Sequence, residues 1–204
     1  MKAIPLPERT EDFAADPVEL FFDLAYVLAF SQLVRLLVDR PSWSGAGRGA
    51  LLFALLWLPW QELTWSANAV SGNSRSVRSI FLVATATSVP MAASTSAALG
   101  AGGPVFAVTL GIIMILGFVT QTLSFERDSE MHASVTRWVM LNVVALGVLL
   151  GGAFTTGDVR IVVWLASAAI VIGAMIDAGR GRWLVRSGHF AERHALIVIV
   201  ALAR

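Results

Sequence analysis

Six times in 204 residues the chain runs for about twenty residues with almost no charge, which is the length a helix needs to cross a bilayer core of about 30 Å. No other feature limits the fold as much. In lipid every backbone amide and carbonyl must be satisfied within the chain, and only helices and closed barrels achieve that. The runs are too long and too continuously apolar for barrel strands, so an all-α, polytopic membrane protein is expected. Complete helices are read at about 18–38, 50–70, 78–98, 104–124, 136–154 and 159–177, with a partial seventh at 189–204. Residues 1–16 form a short tail, and 17–204 a single transmembrane helical domain. Turn-forming stretches separate the runs: Pro41-Ser42-Trp43-Ser44-Gly45, Ser71-Gly72-Asn73-Ser74, Gly100-Ala101-Gly102-Gly103 and Thr155-Thr156-Gly157-Asp158.

Composition agrees. Only 14% of residues are charged, against about 25% in a soluble domain. A net charge of +1 gives no reason to expect nucleic acid as a partner. There is no cysteine, which excludes disulfides and thiolate metal sites. The first sixteen residues hold Glu8, Glu11, Asp12 and Asp16 and no apolar core, so they are not a signal peptide and the first helix is expected to be retained. Basic residues are uneven across the loops. Lys2, Arg9, Arg75, Arg78, Arg127, Arg137, Arg180, Arg182, Arg186 and Arg193 fall on the side of the N-terminus, and only Arg40, Arg48 and Arg160 on the other. By the positive-inside rule the N-terminus is expected in the cytoplasm of a cell-membrane protein.

Within this frame a few polar residues stand out. Glu19 and Asp23 are four apart, so both lie on one face of the first helix, near its start. Asp16, Pro17 and Glu19 also fit a helix start with a capping box, which gives Glu19 a purely structural alternative. A carboxylate inside a span costs about 2.5–3.5 kcal/mol on insertion scales, so Asp23 calls for a partner or a wet cavity. At similar depth the second helix brings Trp65 and Asn68, with Glu62 deeper, about two turns from its inner end, and the seventh brings Glu192, Arg193 and His194. Pairing of Asp23 or Glu19 with Arg193 is expected. These eight residues form a candidate substrate or ion site, with an ion-pair lock between helices as its structural counterpart. His189 and His194 are five apart, roughly 140° from a shared helix face, and match no zinc-protease spacing, so no metal is expected. No catalytic set or cofactor motif is present, and neither an enzyme nor a bound cofactor is expected. Pro59 and Pro90 fall inside the second and third helices, where they interrupt hydrogen bonding. Thr85, Thr87, Ser88, Ser94, Thr95 and Ser96 on the third helix are expected to face other helices. Gly147-Val148-Leu149-Leu150-Gly151 is a small-xxx-small pattern suited to close helix contact. Trp57 and Trp60 are expected to pack around Pro59, and Trp43 to lie at the membrane interface.

Three segments carry a family resemblance. Glu19-Leu20-Phe21-Phe22-Asp23-Leu24, followed by Gln32-Leu33, is similar to the opening signature of the bacterial low temperature requirement A proteins. Thr64-Trp65-Ser66-Ala67-Asn68 resembles that family's Thr-Trp-x-x-Asn element, and residues 189–202 resemble its later segment. Two departures stand out. Ser71-Gly72-Asn73-Ser74 replaces an acidic residue after the second element, and Ala203-Arg204 stands where Gly-Glu usually follows. The resemblance implies a bacterial inner-membrane protein linked to growth at low temperature, a stress response, and names no mechanism. Family members are longer, so the chain is expected to be a front half, with a homo-oligomer or the missing C-terminal half as partner besides the lipid bilayer. A transporter-like or channel-like protein with a polar site in the cytoplasmic leaflet is the expected function. A non-transporting membrane stress or scaffold protein, its buried charges locking helices together, is the alternative.

The arginine asymmetry yields a direct test. Cysteines introduced at Ser74 and Ser129 should be shielded from an impermeant thiol reagent in intact cells, and cysteines at Ser44 and Gly102 labelled; the reverse pattern inverts the topology.

Overall fold

The computed structural model describes residues 17–39, 41–68, 75–123, 132–178 and 193–195. Six helices follow in order: α1 (Pro17–Asp39), α2 (Trp43–Asn68), α3 (Arg75–Thr95), α4 (Gly103–Leu123), α5 (His132–Ala153) and α6 (Gly157–Ala178). Residues 193–195 are helical as well, and there is no strand among the described residues. The remainder of the expected seventh helix, and Asp16 as the cap of α1, lie outside the described residues.

Among the described residues five helices, all of the six but α2, are long and apolar enough to cross a membrane. The expectation of six is therefore met in length but not in composition. At 26 residues α2 is the longest helix, yet it carries Arg48 near one end and Gln61, Glu62, Thr64, Ser66 and Asn68 near the other. Of these Glu62, Thr64 and Ser66 are buried inside the bundle, which is how a polar helix is accommodated among apolar ones. It also begins seven residues earlier than expected, because Ser42 caps it. The Gly45 amide donates to Ser42 Oγ at 3.0 Å and the Ala46 amide to the Ser42 carbonyl at 2.8 Å. Trp43, read as part of the connection, is the first residue of α2 and is 95% exposed.

α4 is the central element: 61% of its apolar window is buried, against 33–39% in the other four spanning helices. It packs on α2, α3 and α5; α1 packs on α2 and α3, and α6 on α5 and α2. Water does not drive helices together in lipid, so side-chain fit and polar contacts between helices carry the cohesion. Tyr26 donates to the Leu56 carbonyl at 2.7 Å across α1 and α2, Ser66 to the Gly117 carbonyl at 3.1 Å across α2 and α4, and Ser167 to the Ala145 carbonyl at 2.8 Å across α6 and α5.

Of two expectations about packing, one holds for most of its residues and one is corrected. The α3 hydroxyls mostly satisfy themselves on their own helix: Thr85, Thr87, Ser88, Ser94 and Thr95 each donate to the carbonyl four residues back. Ser88, Ser94 and Thr95 are nonetheless buried against neighbouring helices, as expected, and Thr85 and Thr87 half-buried; only Ser96 of the six is exposed. Gly147 and Gly151 are exposed, and a Cβ at either would touch nothing. The close approach belongs instead to Gly152, where a Cβ would stand 2.5 Å from the Trp164 indole. That indole donates Nε1–H to the Leu149 carbonyl at 3.0 Å.

Arg160, read from sequence only as an outer loop charge, turns out to be 3% exposed. Its guanidinium donates to the carbonyls of Gly152 (3.2 Å), Ala153 (3.1 Å), Ala98 (3.1 Å) and Gly100. The last carbonyls of a helix have no partner within it, and a cation there opposes the helix dipole. Arg160 thus closes the C-terminal end of α5 and the turn that follows α3. Gly157, at φ +59°, supplies the left-handed turn between α5 and α6.

The glycines separate cleanly by experiment. Gly152→Ala should destabilise the detergent-solubilised protein by about 1–3 kcal/mol through overpacking against Trp164, whereas Gly147→Ala should be neutral or stabilising by up to about 1 kcal/mol. Thermal unfolding of the two variants beside the parent decides it.

Candidate functional site

The residue pair expected to meet does so. Arg193 and Asp23 are both fully buried, 170 positions apart in sequence. The guanidinium approaches the carboxylate bidentately, Nε to Oδ2 at 2.9 Å and Nη2 to Oδ1 at 2.7 Å. Nη1 reaches Glu19 Oε2 at 3.4 Å. The Trp60 indole donates Nε1–H to Asp23 Oδ1 at 2.7 Å, so the Asp23 carboxylate accepts three hydrogen bonds in a site without bulk solvent.

The walls are aromatic. Arg193 Cζ stands 6.0 Å from the ring centroids of Phe22 and Trp60 and 5.2 Å from that of Phe81, one ring each from α1, α2 and α3. A guanidinium over ring faces is stabilised by their quadrupoles, by about 2 kcal/mol or more once desolvated. His194 lies edge-on to Trp60 at 4.9 Å and to Trp57 at 5.9 Å, and Trp57 and Trp60 are 5.0 Å apart. The local reason is helical spacing. Glu19 and Asp23 share a face of α1 that Phe22, Tyr26 and Phe30 extend as an aromatic run, with Phe22 and Tyr26 at 5.2 Å and Tyr26 and Phe30 at 5.9 Å.

Of the other site candidates, Glu62 does not join this cluster. It stands two residues after Trp60, roughly 200° around the helix, and faces α4: a Cβ on Gly117 would meet the Glu62 Cβ at 3.9 Å. By sequence it already lies deeper than the other candidates on α2; helix rotation also turns it away from the charges. Glu62 is 2% exposed, and neither carboxyl oxygen has a hydrogen-bond partner among the described residues. Trp65 is half-buried, one turn below Gln61. Asn68 closes α2. Its side chain, and Glu192, lie outside the described residues.

A further feature was missed. Where α1 ends, α2 begins and α3 turns toward α4, a cavity of about 780 Å³ is lined by Gln32, Arg35, Asp39, Ser42, Ser44, Arg48 and Ser96, with Leu52 among its apolar residues. The signal was present in the sequence: Gln32, Arg35 and Asp39 share one face of α1. Arg35 alone reads as a side chain that snorkels outward, and the contribution of α2 is visible only once that helix starts at Trp43 rather than near residue 50.

The family model described as bacterial low temperature requirement A protein matches residues 14–202. The uncharacterized protein RA0937 of Rhizobium meliloti (strain 1021) is 26% identical over 208 residues, covering 96% of this chain and 50% of that protein. The chain thus spans about half the length of the curated relative it matches. No solved structure matches.

Removing one partner of a buried ion pair costs about 3–5 kcal/mol, because the other charge is stranded. Asp23→Ala should destabilise the solubilised protein on that scale, and adding Arg193→Ala to it should cost far less than Arg193→Ala alone. Additive losses in a double-mutant cycle would mean that the two do not act as a unit.

Proposed function

The chain belongs to the bacterial low temperature requirement A family, and we propose that within it this multi-pass helical membrane protein acts as a transporter-like or channel-like protein whose path follows the α1–α2 seam. One observation carries the reading. The seam holds a polar cavity at one end and a buried charge cluster at the other, with a thin closed layer between them. From Gln32, on the cavity, to Asp23, in the cluster, α1 rises about 14 Å at 1.5 Å per residue, less than half of a bilayer core of about 30 Å. Leu52, Leu56 and Tyr26, all essentially buried, fill that interval. A solute entering the cavity meets Arg35, Asp39 and Arg48, then the apolar layer, then Asp23 with its Arg193 and Trp60 partners.

The layer is built to open at modest cost. Among the described residues its polar link is one hydrogen bond, from Tyr26 to the Leu56 carbonyl, and Pro59, one turn further along α2, removes the backbone bond that the Leu55 carbonyl would otherwise accept. Broken hydrogen bonding at mid-membrane is how transporter helices gain hinges. With the N-terminus in the cytoplasm of the cell membrane, as the arginine asymmetry implies, the cavity opens outward and the cluster lies in the inner leaflet.

The rival reading, a scaffold whose charges only lock helices, is favoured by the completeness of the bidentate Arg193–Asp23 contact with Trp60 on the same carboxylate. Flux decides between them. In proteoliposomes loaded with proton- and cation-sensitive dyes, this chain or a longer family member should give flux above protein-free vesicles, and Trp60→Ala should change it about tenfold or more. Absence of flux from both proteins, for protons and for monovalent and divalent cations, overturns the transport reading and leaves the lock.

A further inference from the structure

We propose that Glu62 is a proton-binding site in the middle of the bundle, separate from the Asp23–Arg193 cluster. This rests on the transport reading and deepens it by naming the proton as a ligand carried by α2, one wall of that seam. The carboxyl group is 2% exposed and both its oxygens lack a hydrogen-bond partner among the described residues. With neither a hydrogen-bond partner nor a counter-ion among the described residues, an ionised carboxylate so buried is costly, and such groups take up a proton instead.

Among the described residues little else is placed to neutralise it. On α1, Tyr26 is the titratable group that interacts electrostatically with Glu62, and its hydroxyl proton is committed to the Leu56 carbonyl at 2.7 Å. Glu19 and Asp23, also on α1, are engaged by Arg193. α4 presents Gly117 beside Glu62 and Gln121 one turn on, neither titratable. On α6, Asp177 pairs with Arg137 at 2.9 Å, and Arg160 is held by helix-end carbonyls.

Position gives the site a route. Arg48, Leu52, Leu55, Pro59 and Glu62 recur at spacings of four and three, so they form one stripe down α2. Arg48 and Leu52 line the cavity. The Leu55 carbonyl, relieved of its helical partner by Pro59, is a hydrogen-bond acceptor on the way to Glu62. A proton delivered along this stripe binds a Glu62 oxygen, and the group returns to the carboxylate when the proton leaves; no other bond changes.

The hydrophobic reagent dicyclohexylcarbodiimide reacts with protonated carboxyls in apolar surroundings and provides the test on the whole 204-residue chain in liposomes. Mass spectrometry should find an adduct on Glu62, absent in Glu62→Gln, whose yield falls about tenfold per pH unit once the group loses its proton. Glu62→Gln keeps the shape and the neutral charge, so its melting temperature should stay within about 3 °C of the parent. No adduct on Glu62, a yield independent of pH, or a larger fall in melting temperature for Glu62→Gln overturns the proposal. Labelling is read without flux: an adduct in a protein that transports nothing defeats the transport reading alone, and flux without an adduct defeats the proton site alone.

Discussion

The Asp23–Arg193 pair makes the rest of the arrangement intelligible. In water such a pair contributes little, because solvent competes for both charges. Inside a helical bundle neither charge is tolerable alone, so the two must find one another. That requirement brings position 193 to α1, and Trp60 of α2 completes the same carboxylate. Phe22, Trp60 and Phe81 then enclose the guanidinium, so three helices contribute rings to a single cation. The geometry of one end of the bundle follows from one carboxylate.

Arg160 does comparable work at the opposite end by a different route. Among the described residues it donates to four backbone carbonyls that α5 and the α3–α4 turn leave open. Trp164, one turn further along α6, carries that contact into the helix interface with its ring 5.6 Å from the Arg160 Cζ. A buried arginine at each end, one answered by side chains and one by backbone, frames a middle in which polar groups are few. There the hydroxyls of α3 turn back on their own helix, and Glu62 stands without a partner among the described residues. The contrast gives Glu62 its meaning. In a bundle that supplies partners to both buried arginines, a carboxyl left unanswered is one that can be satisfied by a proton.

Much of this was legible in the chain. Runs of about twenty apolar residues require helices, because nothing else satisfies a backbone in lipid. Span starts and ends at α1, α4, α5 and α6 agree with the apolar runs to within a few residues. The pairing of Asp23 with Arg193 was legible too, since cost and depth together leave few candidates. α2 was harder. Its polar first turns read as a loop, and only the Ser42 cap shows that the helix begins there.

What the tertiary structure decided is direction around each helix axis. Sequence spacing places Trp60 and Glu62 at one depth, but which neighbour each faces depends on how α2 is rotated against α1 and α4. That rotation puts one on Asp23 and the other beside Gly117. The same holds for the glycines: Gly147 and Gly151 match a contact pattern yet face outward, while Gly152, one residue on, takes the Trp164 ring. A sequence determines hydropathy and periodicity, which are properties of single helices. Facing is a property of pairs, set by side-chain fit in a medium where apolar surface is equally content against lipid or protein.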